Sequence, residues 1–534
     1  VTSQPTPTTP FDPAARWAAP DPEPLVGDAL RALLRQAFGV EEGGRSPADV
    51  VLEVAPPALG DAARDALVAA VGAEHVVTDD AARAAHANGM SYLDLVRRTA
   101  APPAAPDAVV LPADHDEVAA VLRAASEHAV AVVPFGGGTS VVGGVAPERG
   151  TFGAVIALDL QRLDQLVALD DFSWTATLQA GLTGPRAEEL LAERGFTLGH
   201  VPQSFERATI GGYAATRSAG QLSTGWGRFD ALVERVVVAT PSGDLDLGRA
   251  PGSAAGPDLR QLVLGSEGAF GVVTSVTVRV RPVPEARRHE GWRVADLATG
   301  VEVLRTLAQR GPKPDLARLS DEVETAMGVA TGGGGTDEAG GCLLLVGWEG
   351  FAADVEARAA GAAEVLRAAG ATPLGEQAAE SWRHGRFRAP RLRDELLGAG
   401  LVIETLETAT TWRELVALHH HVGDVLRQAL DGATPLVACH VSHLYGAGAS
   451  LYFTVLARRD GDDPVGQWTA AKAAVMDALT ASGATLTHHH AVGADHAPWL
   501  AAEDGDLGVE VLRAVKRRLD PAGILNPGKL LPPE

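Results

Sequence analysis

Three consecutive histidines close the stretch A-T-L-T-H-H-H-A-V-G, Ala484–Gly493. Imidazole is the side chain whose unperturbed pKa lies nearest neutrality, so three of them together could hold an anion or pass a proton. The residues before them suit an extended strand, in which alternation would put His488 and His490 on one face and His489 on the other. A second triplet, His419–His421, serves as a control. It lies in W-R-E-L-V-A-L-H-H-H-V-G-D-V-L-R, where Leu415, Leu418, Val422 and Val425 recur at helical spacing. Successive helical residues point about 100° apart, so those imidazoles cannot converge on one ligand and are expected on a helix surface.

Glycines carry the other candidate chemistry. Pro134–Val145, P-F-G-G-G-T-S-V-V-G-G-V, sets five glycines with Thr139 and Ser140 behind an apolar strand. Gly136, Gly137 and Gly138 let the backbone turn with positive φ and expose successive N–H groups, a concave nest suited to a pyrophosphate. The chain contains no G-x-G-x-x-G, which disfavours a Rossmann dinucleotide site. Gly523–Lys529 matches G-x-x-x-x-G-K, but Leu530 stands where Ser or Thr would hold magnesium, and the segment follows a helix and contains Pro527. It is read as chance. Two more glycine segments follow the first, His200–Gly220 and Leu264–Thr274 (L-G-S-E-G-A-F-G-V-V-T).

The elements that must position these residues are legible in outline. At 534 residues the chain should form two or three domains. Apolar residues make up 46% and charged residues 21%, as in ordinary globular proteins. Val1–Pro10 reads as a disordered lead. Helical patterns run to about Val96, and Ala100–Pro106 looks like a linker. Ala108–Leu111 is a short β run, Val118, Val121, Leu122 and Ala125 form a helical stripe, and Ala129–Val133 is a strand feeding Gly136. A β-rich block spans Val236–Thr240 and Gly271–Val283, with a domain boundary near Arg287. Helices then alternate with strands, broken by a flexible glycine loop at Thr331–Gly341. From Trp499 a helix through Val511, Leu512, Val515 and Leu519 stops at Asp520-Pro521, and I-L-N-P-G-K-L-L should pack back on the main body.

Composition also excludes classes. Cys342 and Cys439 lie in no C-x-x-C pair, which fits a reducing compartment. A net charge of −23 argues against a nucleic-acid surface, and a phosphate ligand would need a local arginine pocket. No basic-plus-apolar leader and no apolar run of about 18 residues is present. A soluble cytoplasmic protein is expected, with peripheral membrane contact still possible through exposed apolar side chains. The closing L-L-P-P-E carries no peroxisomal address.

Taken in order and spacing, the three glycine segments resemble the FAD-binding domain of the vanillyl-alcohol oxidase flavoprotein family over about Ala105–Pro282. The resemblance implies an α+β fold. Residues 105–286 would be a two-subdomain, PCMH-type FAD-binding domain and 287–498 an α+β cap with a central antiparallel sheet. Residues 1–104 would be a helical N-terminal region, and 499–534 a tail returning to the FAD domain. It also implies that Pro134, Phe135, Gly136, Gly137, Gly138, Thr139 and Ser140 cradle the pyrophosphate. Pro202, Gln203, Ser204, Phe205, Glu206, Arg207 and Ala208, with Thr216, Arg217, Ser218 and Ala219, would line the flavin. Glu267, Gly268, Ala269, Phe270, Gly271, Val272 and Val273 would close over the adenosine half. The glycine loop holds no His or Cys, so the FAD should be non-covalent.

Within that family the cap decides the chemistry. The 2-hydroxy-acid dehydrogenase branch carries stretches like H-A-G-D-G-N-L-H and G-E-H-G-I-G, whose histidines and glutamate can ligate a metal. Here Tyr445 and Tyr452 stand for the two histidines and His489 for the glutamate. Phenols are poor ligands for such dications, so no metal site is expected. The chain instead resembles the alkyldihydroxyacetonephosphate synthase family through Arg83–Gly89, Pro106–Pro112, the FAD segments, Ser450–Phe453 and T-H-H-H before Trp499. That resemblance assigns Arg393 in R-L-R-D-E-L to the substrate phosphate, Tyr452 to proton transfer, and His488, His489 and His490 to activity. It makes Arg318 in A-R-L-S-D a support of the flavin site, and it implies a homodimer. Protonated histidines would lower the Tyr452 pKa. The implied reaction is exchange of the acyl group of acyl-dihydroxyacetone phosphate for a fatty alcohol through a flavin N5 adduct, without net oxidation. Two alternatives stay open: FAD-dependent oxidation of a 2-hydroxy acid or related alcohol, towards which the dehydrogenase-like N-P-G-K at Asn526–Lys529 points, and a flavoprotein without catalysis.

Overall fold

The computed structural model describes residues 28–39, 53–100, 104–330 and 340–533. The expected disordered lead, residues 101–103 of the Ala100–Pro106 linker and most of the Thr331–Gly341 loop lie outside them. The apolar run expected before the glycine loop forms Val130–Phe135, which pairs in parallel with Ala154–Asp159, itself parallel to Ala108–Val110. Both longer strands are buried almost throughout, as a parallel strand covered on both faces must be. The helix His115–Glu127 lies beside them, capped by the Asp114 carboxylate, which accepts from Glu117 N–H. Its buried residues include the predicted Val118, Val121, Leu122 and Ala125.

A five-stranded antiparallel sheet follows in the order Leu166–Asp170, Thr175–Gln179, Val272–Arg279, Val233–Thr240, Gly243–Leu247. The second half of the chain builds a seven-stranded antiparallel sheet. The last three strands on one side are Leu436–Ser442, Gly448–Arg458 and, at the edge, Leu401–Thr411. Two large cores result, one under each half. The N-terminal region, expected as a unit of its own, is divided between them. Leu67, Val71 and Val76 enter the first core, whereas Leu34, Phe38, Tyr92 and Leu95 enter the second.

The C-terminal tail completes the first sheet. Val132 donates to Ile524 C=O and Asn526 N–H returns to Val132 C=O, each at 2.8 Å, so the tail runs as a further parallel edge beside Val130–Phe135. Ile524 and Leu525 are fully buried there. The P-loop-like pattern has a structural explanation: Lys529 is buried and pairs with Glu148 at 2.6 Å. No described helix is long and apolar enough to cross a membrane. Leu525→Ala should cost about 2–5 kcal/mol of stability in urea denaturation, as expected for a cavity in a packed core. Leu507→Ala, on a side chain 78% exposed, should stay within about 0.5 kcal/mol.

Candidate active site

A cavity of about 510 Å³ lies between the two halves and gathers most of the expected residues. One wall is the glycine loop, Pro134 to Ser140, with Pro202, Gln203, Ser204, Ala208, Thr216, Ser218, Ala219, Glu267, Gly268 and Gly271 to Val273. The loop must be glycine because it is wedged against the 207–209 backbone. A Cβ on Gly137 would sit 2.1 Å from Arg207 C=O, one on Gly136 would sit 2.4 Å from Thr209 Oγ1, and Gly138 has φ +64°. None of the N–H groups from Gly136 to Val141 donates to another described protein group. A run of unpaired donors on a cavity wall fits an anionic pyrophosphate.

The Arg83–Gly89 motif supports this loop from behind. His86 Nε2 meets the buried Asp159 carboxylate at 2.9 Å and its ring packs on Phe135. Met90 N–H donates to Ser140 C=O at 2.7 Å, and Gly89 lies too close to that carbonyl to carry a side chain.

Six expected FAD-segment residues lie off the wall. Phe205 stacks on Phe387, and Glu206 is exposed. Arg207 is buried and meets the glycine loop through its carbonyl. Arg217, left-handed at φ +50°, donates to Leu264 and Gln261 carbonyls. Ala269 and Phe270 pack with Leu530 of the tail. Glu267 does face the cavity, but its carboxyl accepts the N–H groups of Val492 and Gly493 near 3.0 Å. Burial pushes its pKa up to about 7. It ties the first half to the residues just past the histidine triplet.

Those histidines are not on a strand. Residues 488–490 form a bend, because their N–H groups go to one buried carboxylate instead of a neighbouring strand. Glu407, from the strand Leu401–Thr411, accepts Thr487 Oγ1 at 2.5 Å and the backbone N–H groups of His488, His489 and His490 at 2.6, 3.2 and 3.0 Å. Burial disfavours its charge, but the imidazoles of His489, His490 and His488 and the Thr487 hydroxyl outweigh that and hold the carboxyl well below the usual range. His489 and His490 line the cavity. His488 turns away, its Nδ1 3.0 Å from His489 Nδ1 and its Nε2 2.6 Å from Tyr445 Oη. The control triplet is helical as expected, within Leu415–Ala429. His420 and His421 are exposed, whereas His419 reaches the buried Asp321 at 3.0 Å.

Tyr452 sits on the strand Gly448–Arg458, between Glu407 on one neighbouring strand and His440 on the other. Its ring stacks on His440 at 4.8 Å and lies 5.6 Å from His490. His440 Nδ1 meets Glu324 at 3.1 Å and its Nε2 meets Arg318 Nη1 at 3.1 Å, while Arg318 Nη2 donates to Glu324 at 2.9 Å. Arginine can only donate, so His440 accepts at Nε2 and carries its proton on Nδ1. Arg318 reaches the cavity through this network. Arg393, on the helix Ala389–Gly398, also lines it, donating to Met90 C=O and to Asp394.

The expected lowering of the Tyr452 pKa is overturned. Burial pushes that phenol up to about 12, and burial pushes His488 and His490 down to about 3 and lowers His489 and His440. The imidazoles are neutral at neutral pH and lend the phenol no cationic field; they charge only in acid, which is where they keep Glu407 ionised. Sequence reasoning missed Glu407, His440, His443, Glu324 and the Tyr445 hydroxyl contact. Strand periodicity in L-V-I-E-T-L-E and V-A-C-H-V-S-H was the available signal for the first two.

Comparison with known proteins agrees with this geometry. Residues 106–246 match the family described as FAD binding domain, and residues 283–530 match FAD linked oxidases, C-terminal domain. An alkyldihydroxyacetonephosphate synthase of Trypanosoma brucei brucei is 31% identical, over 92% of this chain and 84% of its own. One from Dictyostelium discoideum is 31% identical, over 85% and 78%. A solved alkyldihydroxyacetonephosphate synthase structure superposes with a TM-score of 0.79 at 27% identity, over 94% of this chain and 91% of that one. The chain belongs to the alkyldihydroxyacetonephosphate synthase family of FAD-binding enzymes.

Proposed function

We propose that the protein exchanges the acyl group of an acyl-dihydroxyacetone phosphate for a fatty alcohol. The reading rests on the composition of this cavity. Besides the glycine loop and Tyr452 it is lined by the apolar Met327, Leu392, Leu396, Ile403 and Leu456 and by Arg393. A guanidinium suits a phosphate monoester, and apolar lining suits a long alkyl chain more than a small hydroxy acid.

Bound FAD, held by Gly136 to Ser140 with Pro202 to Ser204 and Thr216, would supply an electron sink for the substrate carbon. The chain's own residues would manage the protons. Tyr452 Oη keeps its proton in the free protein, and the neutral His490, its ring edge-on and 5.6 Å from the Tyr452 ring, would take that proton during turnover, so that no buried charge is held at rest. Exchange consumes an alcohol and releases a fatty acid, so the alcohol proton must leave the cavity once per turnover. Arg318 and Glu324 hold the tautomer of His440, and His440 holds the plane of the Tyr452 ring.

A second reading, oxidation of a hydroxy acid, is favoured by the family description of residues 283–530. The two separate in one experiment. Exchange predicts free fatty acid release and incorporation of labelled alcohol with no electron acceptor; oxidation predicts bleaching of the flavin by a hydroxy acid without oxygen. Tyr452→Phe should lower turnover about 10²–10⁴-fold with FAD still bound. Survival of the exchange in that variant would remove Tyr452 from the chemistry. Gly137→Ala, whose Cβ would collide with Arg207 C=O, should lose FAD on gel filtration while keeping its far-ultraviolet circular dichroism. FAD released by denaturation should pass a filter, as a non-covalent cofactor must.

A further inference from the structure

The tyrosines at 445 and 452 remove two imidazoles, but the fold brings in another from a position the sequence did not single out. His443 follows the strand Leu436–Ser442 and has a left-handed backbone, φ +52°, which residues other than glycine adopt rarely and which recurs at ligand-holding sites. Its ring stacks on His488 at 5.2 Å and meets His489 edge-on at 5.4 Å. Each of the three offers a ring nitrogen, and these nitrogens all lie within 4.8 Å of one another.

We infer that His443, His488 and His489 form a site for one borderline transition-metal dication, of the Zn²⁺, Co²⁺ or Ni²⁺ class, in the wall of the cavity. Three imidazoles with no carboxylate in the ligand set select such ions over Mg²⁺ or Ca²⁺, which take oxygen ligands. Metal–nitrogen bonds near 2.0–2.1 Å place tetrahedral ligand nitrogens about 3.4 Å apart. The Nδ1 atoms of His488 and His489 are already 3.0 Å apart, so the contraction falls on His443.

Three further features prepare the site. His443 Nδ1 is buried with no hydrogen-bond partner, a lone pair or proton left uncompensated. His488, ligating through Nδ1, would donate its Nε2 proton to Tyr445 Oη at 2.6 Å, the outer contact that fixes the tautomer of a metal-bound histidine. The Glu407 carboxylate, 3.5 Å from His489 Nδ1, supplies opposite charge. Arg228 approaches from the other side, donating to His488 C=O, but its guanidinium is paired with Asp230. His443 and His489 both line the cavity, so the fourth position of a three-imidazole ion would open onto it.

The test is Co²⁺ and Zn²⁺ titration of the metal-stripped, FAD-loaded protein by calorimetry and visible absorption, a readout independent of whichever reaction the cavity runs. One ion per chain is expected, with the visible bands of tetrahedral Co²⁺. His443→Ala should weaken binding at least 100-fold, and Tyr445→Phe about 10-fold through the lost outer contact. Flavin content and melting temperature check that each variant folds, and His443→Asn replaces His443→Ala should the latter fail to fold. A double His420→Ala, His421→Ala variant removes the exposed imidazoles and should leave the high-affinity site unchanged. Absence of stoichiometric binding, or binding that survives loss of His443, or binding lost only with His420 and His421, would overturn the site.

Discussion

One buried carboxylate organises the cap side of this cavity. Glu407 accepts four hydrogen bonds from Thr487, His488, His489 and His490, and a carboxylate so supplied stays charged inside the protein. Three consecutive backbone N–H groups converging on one oxygen pair force the chain to bend. The bend carries three imidazoles to the end of a sheet that already holds Tyr452 and His440. Without that anion the segment would have buried donors and nothing to accept them. Each hydrogen bond to a charged group contributes about 1.5–3 kcal/mol, so the bend is among the firmer parts of the cap.

The same logic joins the two halves. Glu267, from a segment that lines the cofactor side, accepts Val492 and Gly493 N–H immediately beyond the triplet, so the bend is held by a carboxylate at each end. Asn526 in the tail donates to Glu267 C=O and Gly144 C=O, and Met90 N–H holds Ser140. Flavin cradle and proton-handling residues are thus positioned against each other by a few buried polar contacts. Neutral imidazoles and a protonated phenol follow from the same enclosure, since burial favours the uncharged form of each.

The α+β class, the strand before the glycine loop, the helix His115–Glu127 and the returning tail were legible because each rests on local periodicity or on burial of both strand faces. The FAD assignment was legible because glycine spacing reports backbone approach directly. Individual side chains in the FAD segments were less so. Phe205, Arg207, Arg217, Ala269 and Phe270 lie in the same motifs as wall residues but face the packing behind them, and contiguous sequence cannot tell the two sides of a loop apart. Strand periodicity marks Glu407 as a position to notice but not its role, because its partners lie 80 to 83 positions away. The strand expected at Ala484–His490 failed on the same contact, since apolar alternation does not reveal that a distant carboxylate takes the ladder's donors. His443 depends on a left-handed backbone that no propensity at that position predicts.

Whether Glu407 holds the bend can be read from amide hydrogen exchange of residues 487–490 in the FAD-loaded protein and in Glu407→Ala. Strong protection is expected in the parent protein, with an increase of at least 10-fold in exchange across His488, His489 and His490 in the variant, while the strand Val130–Phe135 is unchanged. Equal protection in both proteins would mean that the bend is held by something else, and that Glu407 is not what gathers the histidines at the cavity.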